Sequence, residues 1–205
     1  MIRTALEFIE LELNNYIQRK DPVNFGTKDI STLSNIVKQD GELAVGTVDG
    51  KDDHSVIITL VNIEECRHSD VQSYFYKDEE NQIRQINPAI HLNLHVLFTA
   101  YSDDYKSSLR NLSYVISFFQ TNSVFTAENY PNLNSSTDKS WQKIQKLIFN
   151  HQTLTLEQQN NLWGSLGAKY IPSVLFRMRI LTFQEKETKA EAPSITEMEV
   201  SDKNL

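Results

Sequence analysis

The segment Ser55–Glu65, SVIITLVNIEE, constrains the chain most. Its β-branched density favours a pleated conformation over a helical one. Val56, Ile58 and Leu60 project to one face at period two, and Ile57, Thr59, Val61 and Ile63 to the other. A strand apolar on both faces must be covered on both, so it predicts an interior strand of a sheet.

The rest of the pattern supplies that sheet. In PAIHLNLHVLFTAYS, Leu92, Leu94, Val96 and Phe98 alternate with His91, Asn93, His95 and Leu97, giving a strand with a wet face in its first half. Pro172 introduces a last strand, in which Val174, Phe176, Met178 and Ile180 face one way and Leu175, Arg177, Arg179 and Leu181 the other. VQSYFY (71–76) and QIRQI (82–86) flank KDEEN as a long-looped hairpin. ELAVGTV (42–48) reads as a weak strand, and 22–40 as a loop or a loop holding a short strand.

Helices punctuate these strands. Ile2, Leu6, Ile9, Leu13, Tyr16 and Ile17 recur at helical spacing over residues 2–19, and Asp21-Pro22 ends the helix. Tyr105, Leu109, Leu112, Ile116 and Phe119 predict a second helix over about 104–121, with that stripe as its core face and Asp103 as N-cap. Thr155 followed by Gln158 is a capping-box pattern that starts a third helix at Leu156, ended by Gly164 or Gly167, with Trp163 packed beneath the last strand. Residues 122–138 read as a polar loop, and 141–149 as either a short helix or an edge strand. The order predicts an α+β fold, a mixed or antiparallel sheet with helices packed on one side. Residues 1–184 form one domain, and 185–205 an acidic, mobile tail poor in core-forming residues.

Composition narrows function. A net charge of −7 without a Lys/Arg cluster argues against a nucleic-acid partner. No apolar run reaches the ~18 residues of a membrane span. Glu7, Glu10 and Glu12 interrupt the first helix, which is therefore not a secretory signal. A single cysteine, Cys66, excludes an internal disulfide and fits a reducing compartment.

No catalytic, cofactor-binding or metal-binding residue is predicted. His91 and His95 on a strand lie about 13 Å apart, too far for one metal ion. Cys66 and His68 have no surrounding nucleophile motif. Glu64-Glu65 and Asp103-Asp104 read as turn-solvating or capping acids. Six glycines form no phosphate loop, dinucleotide fingerprint or nucleophile elbow. The informative pair is Arg177 and Arg179, with Leu175 and Leu181 on the same predicted face. Two readings stand: a solvated face with acidic residues across the strands, or a subunit interface built from Leu175, Arg177, Arg179 and Leu181.

Taken in order, IRTALEFIELELNNYI, VIITLVNIEEC, NPAIHLNLHVLFTAYS and LTLEQQNNLWGSLGAKYIPSVLFRMRIL resemble the tail-terminator, or cap, family of extracellular contractile injection systems, phage-tail-like particles related to the antifeeding prophage. Leu156-Glu157, Leu162-Trp163, Tyr170, Pro172-Ser173 and Arg177 through Leu181 carry the last block, and the resemblance spans about residues 1–184. It implies a structural protein without cofactors, made in the bacterial cytoplasm, whose partners are itself in a hexameric ring, the inner tube protein and the contractile sheath protein. The particle would be either released or membrane-anchored. The alternative is an adaptor linking the distal end of the particle to a membrane or anchoring component. An enzyme or ligand-binding domain is the third class.

Overall fold

The computed structural model of the chain describes residues 1–38, 41, 43–44, 55–66, 75–77, 83–85, 90–102, 104–134, 144–183 and 190–192. Helix α1 spans Ile2–Lys20 and stops before Pro22 as expected. The strands are β1 Ser31–Leu33, β2 Val56–Glu65, β3 Phe75–Lys77, β4 Ile83–Gln85 and β5 Ile90–Ala100. Then come α2 Tyr105–Thr121, β6 Val124–Thr126, a 3-10 turn Pro131–Asn134, β7 Lys146–Gln152, α3 Leu156–Leu166, β8 Ser173–Phe183 and β9 Ala190–Ala192.

Six strands form a mixed sheet in the order β1-β2-β5-β8-β7-β6, parallel only between β1 and β2. The hairpin expected around KDEEN is present as β3 and β4, and β9 joins it to make a second, antiparallel three-stranded sheet. β9 lies within the segment expected to be a mobile tail. The segment 122–138, expected to be loop, contains β6 and the 3-10 turn. Of the ambiguous stretch 141–149, residues 146–149 belong to strand β7, and 141–143 lie outside the described residues. Most of the weak strand expected at 42–48 lies outside the described residues, though Leu43 bridges Val37.

Strand β2 is interior, second from the β1 edge, while β5 and β8 are the central pair. Its apolar character on both faces is used only at one end. Val56 to Thr59 are buried, and Asn62 to Glu65 are exposed. A bulge between Leu60 and Asn62 marks the change.

One sheet face carries the main core. Val56 and Ile58 of β2, Leu94, Val96 and Phe98 of β5, and Val174, Phe176 and Met178 of β8 pack with residues of α1 and α2. Phe119 is its hub, with ring centroids 4.4 Å from Phe176, 4.6 Å from Phe149 and 5.0 Å from Phe98. The short α3 packs on the opposite face, where Trp163 is buried with Ile36, Leu97, Ile171 and Leu175. The two long helices therefore share one side as expected, and α3 takes the other.

Helix α1 is pinned by a polar contact. Asn14 is buried, and its Oδ1 accepts from the backbone N–H of Ile30 and of Ser31, both at 2.8 Å. Its amide donates to the Ser31 carbonyl at 3.1 Å. One side chain thereby satisfies backbone groups of the short β1 and fixes it against α1.

Helix α2 presents a different face to the core than its strongest stripe predicts. Ser108, Asn111, Val115, Phe118 and Phe119 are buried. Tyr105, Leu109 and Ile116 are exposed, and only Leu112 and Phe119 of the expected stripe pack on the core. Its N-cap is Asp104, whose carboxylate accepts from the N–H groups of Lys106 and Ser107, one residue beyond the expected Asp103.

A candidate assembly surface

Strand β8 enters the sheet at Pro172, whose carbonyl accepts from the Ala100 N–H at 2.9 Å. Leu175 then turns into the cluster beneath α3. That burial packs it within the chain, on the face for which an interface was expected. Arg177 and Arg179 follow on the same face and are half-buried.

The register defines what lies opposite them. Arg177 stands between His95 of β5 and Asn150 of β7, and Arg179 opposite Ile148 of β7. None of these is acidic. Neither arginine makes an ion pair among the described residues, so the acids expected across the strands from a solvated face are not their direct neighbours. Between Leu92 and Leu94 of β5 the pairing with β8 shifts, so that Leu181 stands opposite Leu92 and Met178 opposite Leu94. Two β8 residues, Arg179 and Ile180, thus face one β5 residue. This bulge interrupts the alternation that runs from Leu175 to Leu181 in the sequence.

Beside Arg177 the buried imidazole of His95 is held on two sides. Its Nδ1 lies 2.8 Å from Gln152 Oε1, and its Nε2 lies 3.2 Å from Glu64 Oε2. Glu64, expected to solvate a turn, is thus the outer end of a side-chain chain running from β2 through β5 to β7. Alternation places His95 on a polar face. Its partner Gln152 carries no sequence signal, because the contact depends on strand order.

Above this polar band an open cleft of ≈ 180 Å³ lies between α3 and the sheet, lined in part by Gln152, Gln159, Leu162, Trp163 and Leu175. The Trp163 indole N–H is buried and has no hydrogen-bond partner among the described residues. His91 and His95 lie on one strand, as the alternation requires. Among the described residues no cluster of His, Cys, Asp and Glu could hold a metal ion. Cys66 is half-buried and free of a disulfide, and His68 lies outside the described residues. No helix among the described residues is long and apolar enough to cross a membrane.

A two-sided mixed sheet, with two long helices on one face and a short capped helix before the last strand on the other, is the fold of tail terminators of contractile injection systems. Residues 4–197 match the model of the Pvc16 N-terminal domain, and the chain belongs to that family. Among solved structures it is similar to the sheath/tube terminator of the extracellular contractile injection system PVC in its extended state. The TM-score is 0.58 at 12% identity, covering 95% of this chain and 63% of that one. It is also similar to the tube-terminating cap of the anti-feeding prophage, with a TM-score of 0.52 at 12% identity, covering 93% of this chain and 60% of that one. The chain therefore spans about three-fifths of the length of these structures. No curated protein matches the sequence significantly.

Proposed function

We propose that the chain is a non-enzymatic structural cap of a contractile injection system. It forms a hexameric ring that ends the inner tube and seats on the last layer of the contractile sheath. It is made and assembled in the bacterial cytoplasm as part of a particle that is released or anchored. The observation that carries this reading is the likeness in fold, over 95% of the chain, to a protein described as a sheath/tube terminator.

Physical reasoning supports it. A stack of rings ends with open docking surfaces. A cap must match them on one side and offer nothing equivalent on the other, which is discrimination by mismatch as well as fit. Copies held in one ring bind multivalently, so a modest single contact suffices. The half-buried pair Arg177 and Arg179, with no acid directly across the strands, suits contact with an acidic surface of a neighbouring or sheath subunit.

Deletion of the gene followed by electron microscopy of the particles tests the reading. Tails of uncontrolled length, or tails that fall apart, are the expected result. Particles of normal length and stability would overturn it.

A further inference from the structure

We infer that the cleft between α3 and the sheet is a binding site for one uncharged carboxamide side chain, an Asn or Gln presented by a partner polypeptide, with the Trp163 indole N–H as the donor. The site belongs to the single chain and goes beyond the cap reading, which gives the cleft no role.

Unmatched polar groups gather at this cleft. Among the described residues three buried side-chain atoms lack a hydrogen-bond partner: Thr99 Oγ1, Asn111 Oδ1 and Trp163 Nε1. Trp163 is 4% exposed and forms part of the cleft wall. Thr99 is fully buried and stands across the strands from Ser173, another wall residue. Leu97 and Leu175 pair in the same register and pack with Trp163. Thr99 and Ser173 each lie two residues from them along their own strands, so they share that face. Two of the three unmatched atoms therefore belong to the cleft wall or to the residue directly beside it. Folded proteins pair nearly all such groups, because a buried donor without an acceptor is costly.

Size selects the kind of guest. The ≈ 180 Å³ of the cleft falls short of the roughly 300–1,000 Å³ of sites for small molecules and cofactors. It is close to the ~150 Å³ cavity that takes a benzene ring, and so to the room one side chain needs.

Chemistry selects the side chain. No Asp, Glu, Lys or Arg lines the cleft, so an ionised guest would lose hydration and meet no counter-charge. The one titratable lining residue, His151, turns its ring onto Phe176 of the main core, with centroids 5.5 Å apart. An aliphatic guest would suit Leu162 and Leu175 but leave the Trp163 N–H unpaired. A hydroxyl would supply an acceptor and leave most of the volume empty. A carboxamide meets each demand. Its flat faces lie against the leucines, its oxygen accepts from Trp163, and its N–H groups donate to the side-chain oxygens of Gln159 or Ser173.

The test is an NMR titration of the full chain, read at the indole N–H signals of its two tryptophans and assigned with Trp163→Phe. The probe is N-acetylglutamine methylamide, and the comparison probes are the matching glutamate and leucine derivatives. The Trp163 signal is expected to move downfield and saturate with the glutamine probe while Trp141 stays in place. The other two probes should bind roughly tenfold more weakly or worse, the factor for one unmatched buried hydrogen-bonding group. Trp163→Phe keeps an aromatic ring in the wall and loses the donor, so the glutamine probe should lose its advantage over leucine, read on the backbone amides of Gln159 and Ser173. Equal binding of the leucine probe would make the cleft an apolar filler site and overturn the inference. Equal binding of the glutamate probe would overturn its neutrality. A Trp163 signal that no probe moves would mean that the cleft holds water only, and would overturn the inference while leaving the cap reading intact.

Discussion

His95 on β5 and Gln152 on β7 join side chains at 2.8 Å, although β8 lies between their strands. On its other side the same imidazole lies 3.2 Å from Glu64 of β2. A single buried ring thus ties three strands beyond the backbone ladder, directly beside Arg177.

Gln152→Leu leaves one nitrogen of that buried ring without its partner. A loss of about 1–3 kcal/mol is expected, the penalty for a buried polar group left unmatched. Glu64→Gln is expected to cost under about 1 kcal/mol, since the Glu64 side chain is 53% exposed. Urea denaturation of both variants separates the cases. Equal costs would mean that the Gln152 contact is not the tighter of the two.

The two glycines of α3 should respond with opposite sign. Gly167 closes the helix at φ 67, in the left-handed region, and a Cβ there meets nothing within 4 Å. Gly167→Ala is therefore expected to destabilise by about 1–2 kcal/mol from backbone conformation alone. Gly164 lies inside the helix, and its Cβ would also meet nothing within 4 Å. Gly164→Ala should stabilise by about 0.5–1 kcal/mol. Thermal unfolding of the pair decides, and a lower Tm for Gly164→Ala would sink the assignment of Gly167 as the terminator.

Acid should loosen the fold partly through the caps. The hydroxyl of Ser107, followed by the backbone N–H of Lys106, holds the Asp104 carboxyl below its ordinary range. Hydrogen bonding from the Asn24 side chain does the same at Asp21. A depressed carboxylate adds stability that is complete above the unfolded value and disappears as pH falls through the folded one. Asp104→Asn keeps a good N-cap but removes the titration. Its stability is expected to match the wild type near neutral pH and to fall less steeply on acidification. Superimposable pH profiles would show that Asp104 contributes nothing to the slope.

How much of this was written in the sequence depends on element length and on what sets each face. β2, β5 and β8 are long enough for period-two alternation to show, and Thr155 with Gln158 forms the capping box its spacing announces. β1 and β6 have three residues each, too few to display a period. The position of β1 is encoded instead in Asn14, a polar residue in a helix that binds its backbone. In α2 two stripes compete. The one with adjacent Phe118 and Phe119 wins the core because two aromatic rings bury more area than Leu109 and Ile116, and Ser108 and Asn111 are carried in with them. The arginine face was legible from alternation. That no acid lies directly across from it, that Leu175 belongs to the Trp163 cluster, and that a bulge breaks the series at Arg179 and Ile180 all depend on neighbouring strands.

That face yields the last prediction. With His95, Asn150 and Ile148 as their cross-strand neighbours, Arg177 and Arg179 have no acid to lose. Arg177→Glu/Arg179→Glu therefore breaks no ion pair among the described residues, and the monomer is expected to unfold within a few degrees of wild type. The reversed charges should instead repel whatever acidic surface the pair meets, since like charges brought together across an interface cost several kcal/mol. Incorporation of the variant into particles, measured by quantitative mass spectrometry of purified tails, is expected to collapse. Adding salt should relieve part of the repulsion, because the charges are only half-buried and remain screened. Normal incorporation at low salt would show that this face points away from every neighbour, and a large drop in Tm would return the arginines to a purely structural role.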